Sequence, residues 1–217
     1  FRVVDNNVGL DIDIAIRCLV GKGDEVLIPQ PSFVCYEPLT IMAQATPVII
    51  ETKMEHNFRL TADEIREKIT PDTKLLILPY PNNPTGGIMT KEELMPIAEV
   101  LKDTNIVVLS DEIYSELTYG GETHTSIAQL DGMKERTIIV NGFSKAYAMT
   151  GWRLGYVTGP KPIIEQMLKL HQYAIMSSPT ISQYAGIEAI KHCDEEITKM
   201  VKEYDARRRL IVKEFNR

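Results

Sequence analysis

Apolar residues in this chain fall into two patterns that alternate along its length. Short runs rich in Val, Ile and Leu are typical of strands that are covered on both faces. Longer stretches carry apolar residues every three or four positions, which is typical of amphipathic helices. The first pattern predicts strands at 25–28, 47–50, 74–78, 106–109, 137–140 and 154–158. The second predicts helices at 10–20, 36–43, 62–69, 91–102, 162–173, 180–191 and 195–216.

Turn and capping signals separate these elements. Thr61-Ala62-Asp63-Glu64 and Thr90-Lys91-Glu92-Glu93 both have the S/T-x-x-E form of a capping box, which marks the start of a helix. Residues 1–4 are interpreted as the end of a strand and residues 5–9 as a turn. Because strands alternate with helices, we predict one α/β domain over residues 1–217 with a mostly parallel sheet.

The composition is that of a soluble globular protein, with 44% hydrophobic and 25% charged residues. A formal net charge of −6, without a long basic run, argues against nucleic acid as the main partner. No apolar run approaches the roughly 20 residues that a membrane span needs, so we expect no membrane insertion. Three scattered cysteines predict free thiols in a reducing compartment, the cytoplasm. The four histidines do not cluster, so no metal site is predicted.

Both ends of the sequence suggest a piece of a longer protein. The sequence begins at Phe1 rather than Met. It ends inside a charged, strongly helical run, 195–217, which contains no glycine stop signal. We therefore expect further chain on both sides.

Three polar segments follow predicted strands: 82–87, 110–114 and 141–153. In open α/β sheets, ligands bind beyond the carboxyl ends of the strands, so these segments are candidate functional loops. Lys145 lies in the third loop, next to apolar residues that suggest a partly enclosed site. A lysine in a loop is normally a solvated charge, but an enclosed one has an amine available as a nucleophile.

Together, the three segments resemble the class I/II, fold-type I aminotransferases that depend on pyridoxal 5'-phosphate (PLP). The motifs that carry the resemblance, in the order of that family, are Pro81-Asn82-Asn83-Pro84-Thr85-Gly86, Ser110-Asp111-Glu112-Ile113-Tyr114, and Ser144-Lys145 with Arg153 eight residues after the lysine. The resemblance extends from about Asp13 to the end. It is strongest to the bacterial branch that contains aspartate, aromatic and acetyl-diaminopimelate aminotransferases. It implies a three-layer α/β/α sandwich with a mostly parallel seven-stranded sheet, and a homodimer.

The resemblance also implies a role for each matched residue. Lys145 corresponds to the lysine that holds the aldehyde of the cofactor as a Schiff base and then moves protons. Asp111 corresponds to the aspartate that keeps the ring nitrogen protonated. Asn83 and Tyr114 correspond to residues that contact the phenolic oxygen. Arg153 corresponds to the arginine that binds the phosphate. Lys145, Asp111 and Tyr114 are the predicted catalytic residues.

Three further positions match the family less closely. Ser144 is expected to donate its hydroxyl to the phosphate, and Phe33 to stack on the pyridine ring. The phosphate-binding turn of the family, Gly-x-Ser/Thr/Gln, aligns with Asn7-Val8-Gly9-Leu10, from which we carry over only Gly9. The resemblance implies a cis Asn83–Pro84 bond. Many relatives carry a serine where this chain has Gly142.

Simpler structural roles compete with these assignments. Asp111 is also in the place of a turn cap after a strand, and Asn83 precedes a proline as turn residues do. Arg153 is also suited to pair with surface carboxylates, and Phe33 to core packing.

The resemblance implies that residues 1–217 are the cofactor-binding large domain, in which about 195–217 form the helix that leads to a C-terminal small domain. That small domain carries the arginine that binds the substrate carboxylate, so we expect this piece to transaminate poorly alone. The implied reaction moves an amino group between an amino acid and a 2-oxo acid. Two alternatives remain: a PLP-dependent C–S β-lyase, and the aminotransferase-like effector domain of a transcription regulator.

Overall fold

A computed structural model describes the fold over residues 8–217. The strands are β1 (Glu25–Gln30), β2 (Thr46–Glu51), β3 (Thr73–Leu78), β4 (Val107–Asp111), β5 (Thr137–Gly142) and β6 (Gly155–Thr158). The helices are α1 (Val8–Leu19), α2 (Tyr36–Met42), α3 (Ala62–Lys68), α4 (Lys91–Leu101), α5 (Phe143–Ala146), α6 (Lys161–Ala174), α7 (Thr180–His192) and α8 (Asp194–Phe215). Each strand and helix predicted within this range is present, with its ends displaced by a few residues. Of the α-helices in residues 8–217, only the short α5 was not predicted.

The sheet has the strand order β2-β1-β3-β4-β5-β6. The first five strands are parallel to their neighbours, and β6 pairs antiparallel to β5. The predicted mostly parallel α/β sheet is therefore confirmed. The prediction of seven strands is wrong for the described part of the chain, where the sheet has six. The interpretation of residues 1–4 as a strand end lies outside the described residues. Of the turn predicted at 5–9, only Val8 and Gly9 are described, and the turn is wrong there because both belong to α1.

Helices cover both faces of the sheet, which explains why the strand sequences are apolar throughout. In β3, Leu75 and Ile77 pack into a core beneath α1, α2 and α6. Leu76 and Leu78 point the other way, into a core beneath α3 and α4. Because successive strand residues face opposite sides, both sets must be apolar. The predicted three-layer α/β/α sandwich is confirmed.

Local signals fix the helices on one side of the sheet. Thr61 and Thr90 both form the predicted capping boxes, in which the threonine side chain and the glutamate three residues later each bond the backbone of the other. The free thiols that we expected are also found, at Cys18, Cys35 and Cys193. In contrast, α8 has no buried residue, and apolar side chains near its end are exposed.

Candidate active site

The three polar loops predicted from the sequence meet at one edge of the sheet. They follow β3, β4 and β5, which are adjacent and parallel, so their carboxyl ends lie side by side. A cavity of about 180 Å³ opens there. Every residue predicted for the site lines it: Gly9, Phe33, Asn83, Asp111, Tyr114, Ser144, Lys145 and Arg153. The structure therefore brings the predicted set together, while the roles of its members stay predictions.

Asp111 ends β4 and is 6% exposed. Its Oδ2 accepts a hydrogen bond of 2.8 Å from the Tyr36 hydroxyl, and its Oδ1 accepts one of 3.2 Å from the Ile113 N–H. The second bond is the turn cap that we considered as the simpler role, so Asp111 both caps a turn and faces the cavity. Burial raises the pKa of Asp111 from 3.8 to about 6, although both hydrogen bonds act in the opposite direction.

The adjacent carboxylate, Glu112, has a different environment. Its Oε1 accepts hydrogen bonds from the hydroxyls of Ser110 and Ser126, at 2.9 and 2.6 Å. Its Oε2 lies 2.9 Å from Nε2 of His124. These contacts tie the end of β4 to the loop that follows it. Of the two acids in the motif, Glu112 is therefore structural and Asp111 is the one that lines the cavity.

Tyr36 is a residue of the site that the sequence analysis missed. It begins α2, is 2% exposed and lines the cavity beside Asp111. Burial, followed by the neighbouring charge of Asp111, raises the pKa of Tyr36 well above its ordinary value. The sequence predicted a helix here but no partner for the hydroxyl. A buried tyrosine needs a hydrogen-bond partner for its hydroxyl, and this requirement is the signal that could have pointed to such a contact.

Lys145 lies in α5, directly beyond the end of β5. Its side chain is half-buried, and its Nζ lies 5.6 Å from the centroid of the Tyr114 ring. Among residues 8–217, no carboxylate forms an ion pair with this amine. Lys145 therefore lines the cavity with its amine outside any ion pair of the described residues.

Gly142 lies where two strands approach each other closely. A Cβ atom on Gly142 would lie 3.0 Å from both the Gly155 Cα and the Leu154 carbonyl oxygen. Gly142 and Gly155 are partners at the end of the β5–β6 ladder. A side chain at the point where the lysine loop begins would therefore require the two strands to move apart by a few tenths of an ångström.

Two adjacent asparagines in the loop after β3 have different roles. Oδ1 of Asn82 accepts hydrogen bonds from the Thr85 N–H and hydroxyl, at 3.1 and 2.9 Å, so Asn82 holds the turn. Asn83 is half-buried and lines the cavity. The turn-forming role considered for Asn83 therefore belongs to its neighbour. The Asn83–Pro84 bond is cis, as the resemblance implies.

Arg153, Ser144 and Gly9 line the cavity as well. One Arg153 guanidinium N–H donates to the Thr150 carbonyl at 2.7 Å, and the Thr150 hydroxyl donates to the Ser144 carbonyl at 2.9 Å. No carboxylate within the described residues pairs with Arg153, so its alternative role in a surface ion pair is not seen. Gly9 lies in the first turn of α1, where backbone N–H groups favour an anion.

Phe33 is 42% exposed and lines the cavity. Its ring meets the Tyr36 ring edge-on, with centroids 6.1 Å apart and an angle of 81° between the planes. Core packing, the simpler role for Phe33, does not fit this exposure.

A second, more open cavity of about 940 Å³ adjoins the first. The two share Asn83, Tyr114 and Lys145. The second extends to α8, where the Arg208 guanidinium lies 5.6 Å above the centroid of the Tyr119 ring. Lys145 therefore lines both the smaller cavity and the larger, more open one.

Comparison with known proteins identifies the family. The family described as aminotransferase class I and II matches residues 9–217. The chain belongs to this family.

Individual relatives agree with this assignment. An aspartate aminotransferase of Pyrococcus abyssi (strain GE5 / Orsay) is 44% identical over 229 residues, covering 97% of this chain and 58% of that protein. The aromatic-amino-acid aminotransferase 2 of Thermococcus litoralis is 44% identical over 207 residues, covering 94% and 53%. The crystal structure of an aromatic aminotransferase from Pyrococcus horikoshii OT3 superposes with a TM-score of 0.95 at 43% identity, covering 99% of this chain and 58% of that one.

The chain thus spans about half the length of the curated relatives that it matches. Their names are those of aminotransferases, which does not favour the β-lyase or the regulator considered above.

In residues 8–217, no helix combines the length and apolar character required to span a lipid bilayer. In the same residues, no three His, Cys, Asp or Glu side chains are grouped to hold a metal ion.

Proposed function

We propose that the protein transfers an amino group between an amino acid and a 2-oxo acid, with pyridoxal 5'-phosphate as its cofactor. The observation that carries this proposal is the single cavity at the ends of β3, β4 and β5. It brings together an amine, a buried carboxylate, an amide, a phenol and a guanidinium, from Lys145, Asp111, Asn83, Tyr114 and Arg153. Together these five groups complement the aldehyde, the ring nitrogen, the phenolic oxygen and the phosphate of PLP.

The surroundings of Asp111 fit the pyridine nitrogen of PLP. Burial opposes ionisation of this carboxylate, which is why its pKa is raised to about 6. A protonated ring nitrogen would supply the nearby positive charge that favours the carboxylate form. Asp111 would in turn hold the proton on that nitrogen, and a protonated ring is what lets PLP withdraw electrons from a bound amino acid.

The other cavity residues fit the remaining groups of PLP. Asn83 and Tyr114 would donate hydrogen bonds to the phenolic oxygen, and Phe33 would cover one face of the ring. Arg153, which pairs with no carboxylate in residues 8–217, would bind the phosphate through its guanidinium. Ser144 would add a hydroxyl, and the N-terminal turn of α1 at Gly9 would add backbone N–H groups.

Lys145 has two tasks in this proposal. Its Nζ would hold PLP through the aldehyde of the cofactor before the substrate arrives. Displaced by the substrate amine, the free Nζ would be placed to accept a proton from the substrate and to return it at another position. The adjoining cavity of about 940 Å³, which shares Lys145, leaves room for the substrate beside this amine.

We further propose that residues 1–217 are the cofactor domain of a longer enzyme, with about 195–217 leading to a small domain that binds the substrate carboxylate. The exposed apolar side chains of α8, such as Leu210 and Phe215, support a neighbour packed against this helix. We expect the 217-residue chain alone to show little turnover, and normal turnover would contradict this. By analogy with the family, we also propose that the protein is a homodimer in the cytoplasm.

The cofactor assignment is tested by trapping PLP on the intact protein. Borohydride reduction after incubation with PLP should leave a covalent adduct on the peptide that contains Lys145, detected by mass spectrometry. Lys145→Ala should abolish the adduct, while the exposed Lys134→Ala should retain it. An adduct that survives Lys145→Ala would refute the assignment.

The reaction is tested by following both products. An aminotransferase needs one 2-oxo acid for each amino acid consumed and returns a new amino acid. Pyruvate and ammonia released without added 2-oxo acid would instead indicate a β-lyase and contradict the proposed reaction. Profiling amino donors would then define the substrate class.

A further inference from the structure

Tyr36 belongs to none of the three motifs, yet its hydroxyl contacts the carboxylate that would meet the cofactor. We infer that Tyr36 is a positioning residue: its O–H fixes the orientation of the Asp111 carboxylate and holds it in the charged form. This inference rests on the proposed function, because it concerns how Asp111 is prepared for the ring nitrogen.

The geometry around Asp111 restricts the carboxylate at both oxygens. Oδ2 accepts from Tyr36 on α2 at 2.8 Å, and Oδ1 accepts from the Ile113 N–H after β4 at 3.2 Å. Two donors on separate elements fix the plane of the carboxylate. An ionised carboxylate has about four acceptor positions, so two such bonds leave capacity for a third donor on the cavity side.

Tyr36 is itself held firmly. It is 2% exposed, packs in the core beneath α1 and α6, and begins a helix whose next turn donates the Thr40 hydroxyl to the Tyr36 carbonyl at 2.8 Å. Its ring also meets the edge of Phe33. One buried side chain therefore supports both the carboxylate and the aromatic residue expected on the face of the cofactor.

The charges around Asp111 show why a donor is needed there. Burial disfavours the carboxylate most strongly, and the adjacent Glu112 adds a smaller effect in the same direction. At the start of α2, burial and then the charge of Asp111 raise the pKa of the Cys35 thiol and of the Tyr36 phenol. Tyr114, Lys145 and Arg153 line the rest of the cavity. Because the pKa of Tyr36 lies well above its ordinary value, its hydroxyl keeps its proton and remains a donor.

The test is a titration of Asp111 in the intact, cofactor-free protein. Carboxyl carbons of aspartate are labelled with ¹³C, and the Asp111 resonance is assigned by its loss in Asp111→Asn. A hydrogen bond to a charged group is worth about 1.5–3 kcal/mol, so Tyr36→Phe should raise the midpoint of Asp111 by about one pH unit or more. Site-specific 3-fluorotyrosine at position 36, a more acidic donor, should lower the midpoint.

Tyr80→Phe is the matched control. Tyr80 is 4% exposed, and its hydroxyl bonds the backbone at Phe58 and Leu60 rather than a carboxylate. This variant also loses a buried hydroxyl, so it should lower stability but leave the Asp111 midpoint where it was. An unchanged midpoint in both Tyr36 variants, or equal movement in Tyr80→Phe, would overturn the inference.

A second measurement separates this inference from the proposed function. The affinity for PLP is followed by absorbance at pH values where Asp111 is protonated in Tyr36→Phe but ionised in the parent protein. In that range the affinity of Tyr36→Phe should be lower than that of the parent protein by about tenfold or more. If the parent protein does not bind PLP, the proposed function fails, whatever the titration shows. If PLP binds normally to both proteins throughout that range, the proposed function stands and the role of Tyr36 is refuted.

Discussion

Replacing Asp111 by Asn should change how the stability of the cofactor-free protein depends on pH. Asp111 is 6% exposed, and burial raises its pKa from 3.8 to about 6. Between these values the folded protein still holds the proton, whereas the unfolded chain has released it. The free energy of unfolding of the parent protein must therefore fall as the pH rises through this range.

The size of the effect follows from the same two pKa values. One pH unit corresponds to 1.36 kcal/mol, so a pKa raised from 3.8 to about 6 gives a loss of roughly 3 kcal/mol. This loss of unfolding free energy is complete at pH values above the pKa of Asp111 in the folded protein. It is absent at pH values below the pKa of Asp111 in the unfolded chain. An asparagine at this position has no proton to release, so the variant lacks this contribution at every pH. Any change in hydrogen bonding with Tyr36 or Ile113 adds an amount that does not depend on pH.

The measurement is urea unfolding of both proteins without PLP, at several values between about pH 3 and about pH 7. As the pH rises over that range, the unfolding free energy of Asp111→Asn should increase relative to that of the parent protein by roughly 3 kcal/mol. Asp131→Asn, at an exposed position, controls for the loss of one negative charge and should have a small effect throughout. A difference that is flat, or that moves against Asp111→Asn as the pH rises, would show that burial does not oppose the charge on Asp111.

Two further predictions concern the scaffold around the site. Gly142→Ala should lower the unfolding free energy by about 1–3 kcal/mol, because its Cβ would lie 3.0 Å from the Leu154 carbonyl oxygen. Gly151→Ala is the control, since a Cβ there meets no atom within 4 Å; equal stability of the two variants in urea would contradict the packing argument. Thr90→Ala should cost about 1 kcal/mol by removing the capping box of α4, with Thr61→Ala giving a similar loss at α3. Unchanged midpoints in both threonine variants would show that these caps contribute nothing.

Most of the fold followed from the sequence because its signals are local. The apolar runs of β1 and β3 and the capping boxes at Thr61 and Thr90 each depend on a few adjacent residues. The strand number was wrong for a different reason: seven came from the family resemblance, whereas the described residues supply six. The short α5 was missed because four residues cannot display a helical period.

The site divides in the same way. Lys145, Asp111 and Asn83 follow strands that the pattern had already identified, and parallel strands bring their carboxyl ends to one edge. Tyr36 depends instead on a hydrogen bond across 75 positions of sequence, between α2 and the end of β4. No spacing rule links those two positions. The division of roles between Asn82 and Asn83 likewise depended on which side chain turns toward Thr85.

The destabilising effect of Asp111 and the binding of its proposed cofactor are two consequences of one buried charge. Without a cation nearby, ionisation of Asp111 opposes folding by roughly 3 kcal/mol. A protonated ring nitrogen beside it would restore the favourable interaction, and a ligand that binds only the folded state stabilises that state. Above pH 6, Asp111→Asn should therefore gain stability without PLP and lose much of the stabilisation that PLP gives the parent protein. Opposite changes of this kind distinguish a carboxylate held for a ligand from one that merely caps a turn, since removal of a cap would lower stability in both states.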